Sequence, residues 1–142
     1  MIAAQQTIGL DITLGSYPKL LEKIVVLAKD NYSSNVCIAN VHMLVEAHNN
    51  DAFRSDINKA EVITADGKPL TWALRLLYGI KQDRVAGMDL LPDLLKQAMV
   101  NQLPVYFYGG TESLLEKTKN YMAFHYPDLR IAGMTSPPFR EI

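Results

Sequence analysis

Cysteine is nearly absent from this sequence, which contains one, Cys37, in 142 residues. A single cysteine excludes an internal disulfide and indicates a reducing compartment. Its neighbours Val36 and Ile38 are apolar, which favours a buried structural thiol over a nucleophile. Long apolar runs are also missing: none reaches the roughly 18 residues of a membrane span, and the N-terminus lacks the pattern of a signal peptide. We therefore expect a cytoplasmic protein.

The sequence also has no excess of charge of either sign. Lys and Arg number 14 and Asp and Glu number 15, so the formal net charge is −1. This balance argues against nucleic acid as a partner, but it leaves room for a local basic pocket that holds a phosphorylated small molecule. His42 and His48 fall on different faces of a predicted helix, with no Cys, Asp or Glu at ligand spacing. We predict no metal site and no cofactor.

Strand and helix patterns alternate along the chain. Apolar or β-prone runs predict strands over 35–39, 62–65, 104–108 and 129–133, with 8–12 as an edge strand or hairpin arm. Apolar residues at helical spacing predict helices over 17–29, 41–49, 52–59, 70–78, 90–101 and 112–124, with a short strand or loop over 81–87. We predict one Rossmann-like α/β domain over 1–142, a mostly parallel sheet with helices on both faces.

One corner of this pattern is the strongest candidate for a functional site. The predicted strand over 62–65 ends at Asp66-Gly67, and a helix with Pro69 in its first turn follows at once. Ligands of open α/β sheets bind outside the carboxyl ends of the strands, so a substrate would reach Asp66. The structural alternative is that Asp66 caps the helix and Gly67 supplies a turn dihedral.

Polar residues follow other strands as well, and each allows two interpretations. Gly109-Gly110-Thr111 opens a helix, where backbone N–H groups can approach a phosphate, although plain turn geometry explains the same residues. Arg84 can pair with a phosphate through its planar guanidinium or form a surface salt bridge. Asn40 follows the strand over 35–39. In a doubly wound sheet these loops come together at one edge.

The residues at these strand ends resemble a known family in their order along the chain. The motifs are Asn40 after an apolar strand, Ala65-Asp66-Gly67, Arg84-Val85-x-Gly87-x-Asp89-Leu90, Val105-Tyr106-Phe107-Tyr108-Gly109-Gly110, and Tyr126-Pro127-Asp128-Leu129-x-Ile131-x-Gly133. Together they resemble the WecG/TagA/CpsF glycosyltransferase family, and the resemblance covers nearly all of residues 5–140.

The resemblance implies an inverting glycosyltransferase of bacterial surface polysaccharide or teichoic acid synthesis. Such an enzyme moves N-acetylmannosamine, its uronic acid or glucose from a UDP-sugar to an undecaprenyl-diphosphate-linked acceptor, at the inner face of the cell membrane. By this resemblance Asp66 is the general base, Arg84 holds a diphosphate and Asn40 lines the pocket. The remaining residues expected to contact substrate are Gly67, Gly87, Asp89, Gly109, Gly110 and Thr111.

The chain departs from the family pattern in two places. Ile38-Ala39-Asn40 stands where the family usually has Thr-x-Asn, which removes a hydroxyl. Family members normally continue well beyond this length, and residues 135–142 read as a loop leading onward, so we expect an incomplete family fold. The alternatives are a non-catalytic nucleotide-sugar binding module and a truncated, inactive fragment. An exposed sheet edge also predicts a homo-oligomer.

Overall fold

A computed structural model describes residues 3–30 and 33–138 of the chain. Residues 139–142, at the end of the predicted onward loop, lie outside this range. The strands of the described residues are β1 (Ala4–Thr7), β2 (Leu10–Thr13), β3 (Val36–Ala39), β4 (Val62–Ala65), β5 (Val105–Tyr108) and β6 (Ile131–Thr135). The helices are α1 (Tyr17–Lys29), α2 (Val41–Asn49), α3 (Asp51–Ile57), α4 (Lys68–Tyr78), α5 (Gly87–Val100) and α6 (Glu112–His125).

The predicted fold class is confirmed as a mixed α/β, Rossmann-like arrangement with parallel strand pairs. β3 pairs with β4 and β5 with β6, both in parallel, while β1 and β2 form an antiparallel hairpin. The hairpin turns through Ile8 and Gly9, both with positive φ, which matches the twist of the paired strands. Within the described residues the strands form three two-stranded sheets rather than one continuous sheet.

Several elements begin or end at residues other than those predicted, and three of these differences have a clear physical reason. α4 begins at Lys68 rather than residue 70, because proline is tolerated in the first turn of a helix and Pro69 therefore lies inside it. α5 begins at Gly87, which places Pro92 in its interior. β6 begins at Ile131, because the Leu129 N–H donates to the Tyr126 carbonyl in a turn after α6.

The chain divides into two compact units, Met1–Leu91 and Pro92–Ile142. The boundary falls inside α5, at its interior proline. The prediction of a single domain over 1–142 stays a prediction, and each unit is described below by itself.

The first unit has its core around β4, whose four residues are all buried. The buried apolar cluster consists of Leu10, Ile12, Ala39, Leu44, Ala47, Ile63, Ala65, Leu70 and Leu74. One edge of β4 pairs with β3, and the other receives two further bonds: the Ile63 N–H donates to the Thr13 hydroxyl (3.0 Å), and the Val85 N–H donates to the Ala65 carbonyl (3.0 Å). β4 is thereby held on both sides up to its carboxyl end, where Asp66 follows.

The second unit is built from the β5–β6 pair, α6 and the C-terminal part of α5. Its core contains Leu95, Ala98, Met122 and Leu129, with Val105 and Phe107 of β5 packed against them. Alternate residues of β5, Tyr106 and Tyr108, are exposed, as expected for a strand with one face against the core.

Candidate functional site at the carboxyl ends of the parallel strands

Asp66 lies where the β3–β4 pairing ends. Its backbone N–H donates to the Ala39 carbonyl at 2.8 Å, which extends the parallel ladder by one bond beyond the Ala39–Ala65 pair. Because Asn40 follows Ala39 directly, the two polar residues stand at the same end of the pair. The expectation that these strand ends come together is confirmed for Asn40 and Asp66.

The capping role that the structural alternative gives to Asp66 is wrong. Gly67, not Asp66, is the N-cap residue of α4, and the helix start has no side-chain cap. The Asp66 side chain is half-buried, and among residues 3–30 and 33–138 its carboxylate has no hydrogen-bond or ion-pair partner. A partly desolvated carboxylate without a structural partner is available to accept a proton from a bound molecule.

Gly67 supplies the turn, as predicted. Its φ is +91° and its ψ 153°, a region of backbone conformation that is essentially restricted to glycine. This conformation lets the chain leave β4 and enter α4 within one residue after Asp66. The sharp turn therefore keeps the Asp66 side chain at the strand end rather than inside the first helical turn.

Asn40 has a structural role in addition to its predicted one. It is the N-cap residue of α2, and its side-chain oxygen accepts a hydrogen bond from the Met43 N–H at 2.9 Å. The residue is exposed, and its amide NH₂ has no partner in the part of the chain that the structure describes. Because the cap uses the oxygen and not the nitrogen, the NH₂ remains a donor for a ligand at the strand end.

Arg84 and Asp89 are paired with each other. The Arg84 Nη2 to Asp89 Oδ2 distance is 2.6 Å, and both side chains are about half exposed. This is the salt-bridge alternative for Arg84. The segment that contains Arg84 lies beside the end of β4, because the N–H of the next residue, Val85, donates to the Ala65 carbonyl. A diphosphate at this edge would have to replace the Asp89 carboxylate as the partner of Arg84.

Gly87 has no steric need to be glycine. A Cβ at this position would lie 3.6 Å from the Ile38 Cδ1 atom, which is an ordinary contact, and its φ is not positive. The predicted substrate contact of Gly87 therefore gains no support from close packing, and it stays a prediction.

The Gly109-Gly110-Thr111 turn belongs to the second unit. Both glycines have positive φ, +117° and +73°, and a Cβ on Gly110 would come within 2.9 Å of the Leu114 Cδ2 atom. Thr111 is the N-cap residue of α6 and accepts from the Leu114 N–H at 3.2 Å. Turn geometry thus accounts for all three residues. A Cβ on Gly109 would nevertheless meet open space, so a ligand could approach that backbone.

An open cleft of about 1050 Å³ lies beside this turn, and the sequence did not reveal it. It is lined by Gly110, Thr111, Glu112, Ser113, Leu114, Ser136, Pro137 and Pro138. The Ser136 hydroxyl donates to the Gly110 carbonyl at 2.8 Å, which ties the segment after β6 to the start of α6. No periodic signal marks residues 136–138, so Ser136 was not predicted.

The predicted site residues thus fall into two groups. Asn40, Asp66, Gly67, Arg84, Gly87 and Asp89 lie in the first unit, and Gly109, Gly110 and Thr111 lie in the second. That Asp66 faces a crevice shared with the double glycine stays a prediction.

Metal-ligating side chains and the Cys37 thiol are the other groups that could carry chemistry. No cluster of three or more His, Cys, Asp or Glu that could hold a metal ion occurs among the described residues. The Cys37 thiol is only partly buried and packs at the edge of the first core, and this burial raises its pKa. A raised pKa reduces the thiolate fraction, which agrees with the structural role expected for it. No helix within 3–30 or 33–138 is long and apolar enough to cross a bilayer.

A carboxylate beyond a buried parallel strand, with no partner among the described residues and followed by a glycine turn into a helix, is typical of one class: α/β proteins that bind ligands at the carboxyl ends of their strands. The family model described as glycosyl transferase WecG/TagA/CpsF matches residues 5–142. The chain therefore belongs to the WecG/TagA/CpsF glycosyltransferase family.

Two relatives illustrate how far the similarity extends. A protein of Bacillus spizizenii strain W23 is 28% identical over 103 residues, which cover 72% of this chain and 40% of that protein. A protein of Staphylococcus aureus strain NCTC 8325 is 27% identical over 127 residues, 88% of this chain and 50% of that protein. Both are named N-acetylglucosaminyldiphosphoundecaprenol N-acetyl-beta-D-mannosaminyltransferase. The chain spans about half the length of these relatives.

Proposed function

We propose that this chain carries the base-bearing part of an inverting glycosyltransferase, with Asp66 as the general base. One observation carries the proposal: in a chain of this family, the Asp66 carboxylate stands beyond a buried strand with no hydrogen-bond or ion-pair partner among the described residues. The donor is a UDP-sugar carrying N-acetylmannosamine, its uronic acid or glucose. The acceptor is an undecaprenyl-diphosphate-linked sugar, in keeping with the names of the relatives.

The proposed reaction is a single displacement at the anomeric carbon. The acceptor hydroxyl oxygen forms a bond to that carbon while the bond to the UDP phosphate oxygen breaks, and the configuration inverts. Asp66 takes the proton of the attacking hydroxyl, and UDP leaves with the electron pair of the broken bond. A carboxylate that is already free of other partners has no existing bond to give up before it accepts this proton.

The neighbouring residues are assigned roles in binding. The free amide NH₂ of Asn40 donates to a sugar or phosphate oxygen at the strand end. Arg84 exchanges Asp89 for a diphosphate oxygen, which its planar guanidinium can bind through two N–H groups. The backbone of Gly109, open on its Cα side, approaches the donor. Gly67 sets the direction of Asp66, and Gly87, Gly110 and Thr111 are further residues proposed to contact substrate.

The test replaces Asp66 by Asn and measures UDP release with a UDP-sugar and the lipid-linked acceptor. General-base catalysis contributes about 10²- to 10⁴-fold, so turnover should fall by that factor while UDP binding persists. Asp56→Asn is the matched control, because Asp56 is exposed and its carboxylate pairs with Lys59 at the surface. Turnover of Asp66→Asn equal to that of the unsubstituted chain would refute the proposed role.

A second candidate function is a non-catalytic nucleotide-sugar binding module. The observation in its favour is that the Asn40 amide NH₂ and the Gly109 backbone are open to an anionic ligand, which suits binding without chemistry. Calorimetry with UDP and UDP-sugars, alongside the turnover assay, separates the two. Binding without turnover favours the module, and neither binding nor turnover favours an inactive fragment.

Two further expectations belong to the same proposal. The enzyme works in the cytoplasm, peripherally at the inner face of the membrane, because the lipid-linked acceptor is held there. The chain also forms a homo-oligomer that covers exposed strand edges. Light scattering after size-exclusion chromatography measures the oligomeric state directly.

A further inference from the structure

The outward face of α4 is apolar where a surface helix is normally polar. Leu70 and Leu74 of this helix are buried in the first core. On the opposite side, Trp72 is 66% exposed and Leu76 86% exposed. Residues four apart are neighbours on one helix face, so these two side chains form a continuous apolar strip that no other described residue covers.

Cations flank this strip. Lys68 lies four residues before Trp72 and Arg75 three residues after it, which places both beside the strip on the same face. The sequence from Gly67 to Gln82 also contains Lys81 and no Asp or Glu. None of these cations belongs to an ion pair of the described residues. The face is therefore positively charged in a chain whose formal net charge is −1.

We propose that this face of α4, formed by Lys68, Trp72, Arg75 and Leu76, docks on the surface of an anionic lipid bilayer. Interfacial helices combine Trp or Leu on one side with flanking Lys and Arg. The indole ring and the leucine enter the headgroup boundary, and the two cations contact anionic headgroups. The charge of the face is complementary to that of such a membrane.

A second copy of the chain fits the same face poorly. A stable protein interface buries about 800 Å² on each partner and involves roughly 20 to 30 residues a side, whereas this face consists of the few residues named above. A symmetric contact between two copies would also bring Lys68 and Arg75 against their own counterparts, and like charges in contact oppose association.

This inference rests on the proposed function in one respect: the proposed function requires an acceptor that is linked to a membrane lipid. α4 begins directly after the Asp66-Gly67 turn, so only Gly67 separates the proposed base from Lys68, the first residue of the docking face. A docked α4 holds Asp66 near the level of the headgroups, where the diphosphate of a lipid-linked acceptor lies. The chain would thus take its acceptor from the membrane without extracting the lipid.

The position of the single tryptophan makes the proposal directly measurable. Trp72 is the only tryptophan of the 142 residues, so the tryptophan emission of the folded chain reports on this face. Vesicles of phosphatidylglycerol and phosphatidylcholine should shift the emission maximum to shorter wavelengths and carry the protein down in co-sedimentation. Vesicles of phosphatidylcholine alone should bind far less, and added salt should weaken binding to the anionic vesicles.

Matched variants locate the effect on α4. Lys68→Gln with Arg75→Gln should weaken binding about 25-fold, since each cation near an anionic surface is worth about fivefold. Leu76→Ser should also weaken it. The controls are Lys117→Gln with Lys119→Gln, and Phe124→Ser, all at exposed positions of α6, and these should bind as the unsubstituted chain does. Circular dichroism checks that every variant is folded.

Three outcomes would overturn the proposal. They are an unchanged emission with anionic vesicles, an equal loss of binding in the α4 and α6 variants, and a shift that follows protein concentration without vesicles. The last result would indicate a second copy as the occupant. The vesicles contain neither donor nor acceptor, so this test is independent of turnover. Asp66→Asn should bind vesicles normally, and its retained turnover would refute the proposed function alone.

Discussion

The backbone of one glycine determines where the proposed base points. Gly67 has a φ of +91°, and an alanine Cβ there would stand 3.5 Å from the Pro69 Cδ atom. The space is sufficient, so the constraint is conformational rather than steric. Because Asp66 precedes it directly, any relaxation of this turn rotates the carboxylate that we propose as the base.

We predict that Gly67→Ala lowers the free energy of unfolding by about 1–3 kcal/mol, the usual cost of a side chain in this region of conformation. Urea denaturation measures the change. Gly87→Ala is the matched control: its added Cβ makes only an ordinary contact, and alanine is favoured over glycine in a helix by up to about 1 kcal/mol. A loss in Gly87→Ala as large as that in Gly67→Ala would contradict the conformational explanation.

At the scale of elements, the residues that immediately precede β3 and β4, Asn35 and Glu61, are hydrogen-bonded to each other. The Glu61 carboxylate accepts a hydrogen bond from the Asn35 N–H at 2.6 Å, and the Glu61 N–H donates to the Asn35 carbonyl at 3.1 Å. The bond from Asn35 lowers the pKa of Glu61 below its ordinary value of 4.5, with smaller help from its own N–H and from Lys23.

This link makes stability depend on pH in a defined direction. A carboxyl whose pKa is lower in the folded state stabilises the fold above the unfolded pKa, and the stabilisation is lost as pH falls through the folded one. We predict that Glu61→Gln is less stable than the unsubstituted chain at pH 7, and that the difference shrinks below pH 4.5. Denaturation of both proteins at pH 7 and below pH 4.5 measures the difference in their free energies of unfolding. A difference of the same size at the two pH values would contradict the stabilising role of the Glu61 carboxylate.

At the scale of the whole molecule, the question is whether its two units unfold together. One helix, α5, runs through the boundary between them, and Pro92 at that boundary lacks the N–H of a regular helical bond. Each unit has its own apolar cluster, with Leu74 in the first and Leu95 in the second. The prediction of a single domain requires that the loss of either cluster affect the entire chain.

We predict one cooperative transition. Leu74→Ala and Leu95→Ala should each cost about 2–5 kcal/mol and should lower hydrogen-exchange protection in β4 and β5 alike. Leu76→Ala, at a position 86% exposed on the same helix as Leu74, is the control and should change stability by no more than about 0.5 kcal/mol. If each core substitution affected only the strands of its own unit, the single-domain prediction would be wrong.

The sequence by itself determined which elements form and which polar residues follow each strand. Apolar runs, helical spacing and Gly or Pro at the ends are local signals, so β3, β4 and α4 were predicted within a few residues. The neighbourhood of Asn40 and Asp66 was also predictable, because parallel strands place their carboxyl ends side by side. The ordered motifs indicated the family that the comparison confirmed.

Only the tertiary structure decided between the alternatives for individual side chains. It excluded Asp66 as a helix cap, paired Arg84 with Asp89, and brought Ser136 to Gly110 and Gln82 to Gly15, contacts that span 26 and 67 residues of sequence. The physical reason is that a local pattern sets backbone conformation, whereas the partner of a side chain depends on residues that only folding brings near. The availability of the Asp66 carboxylate is therefore a property of the fold.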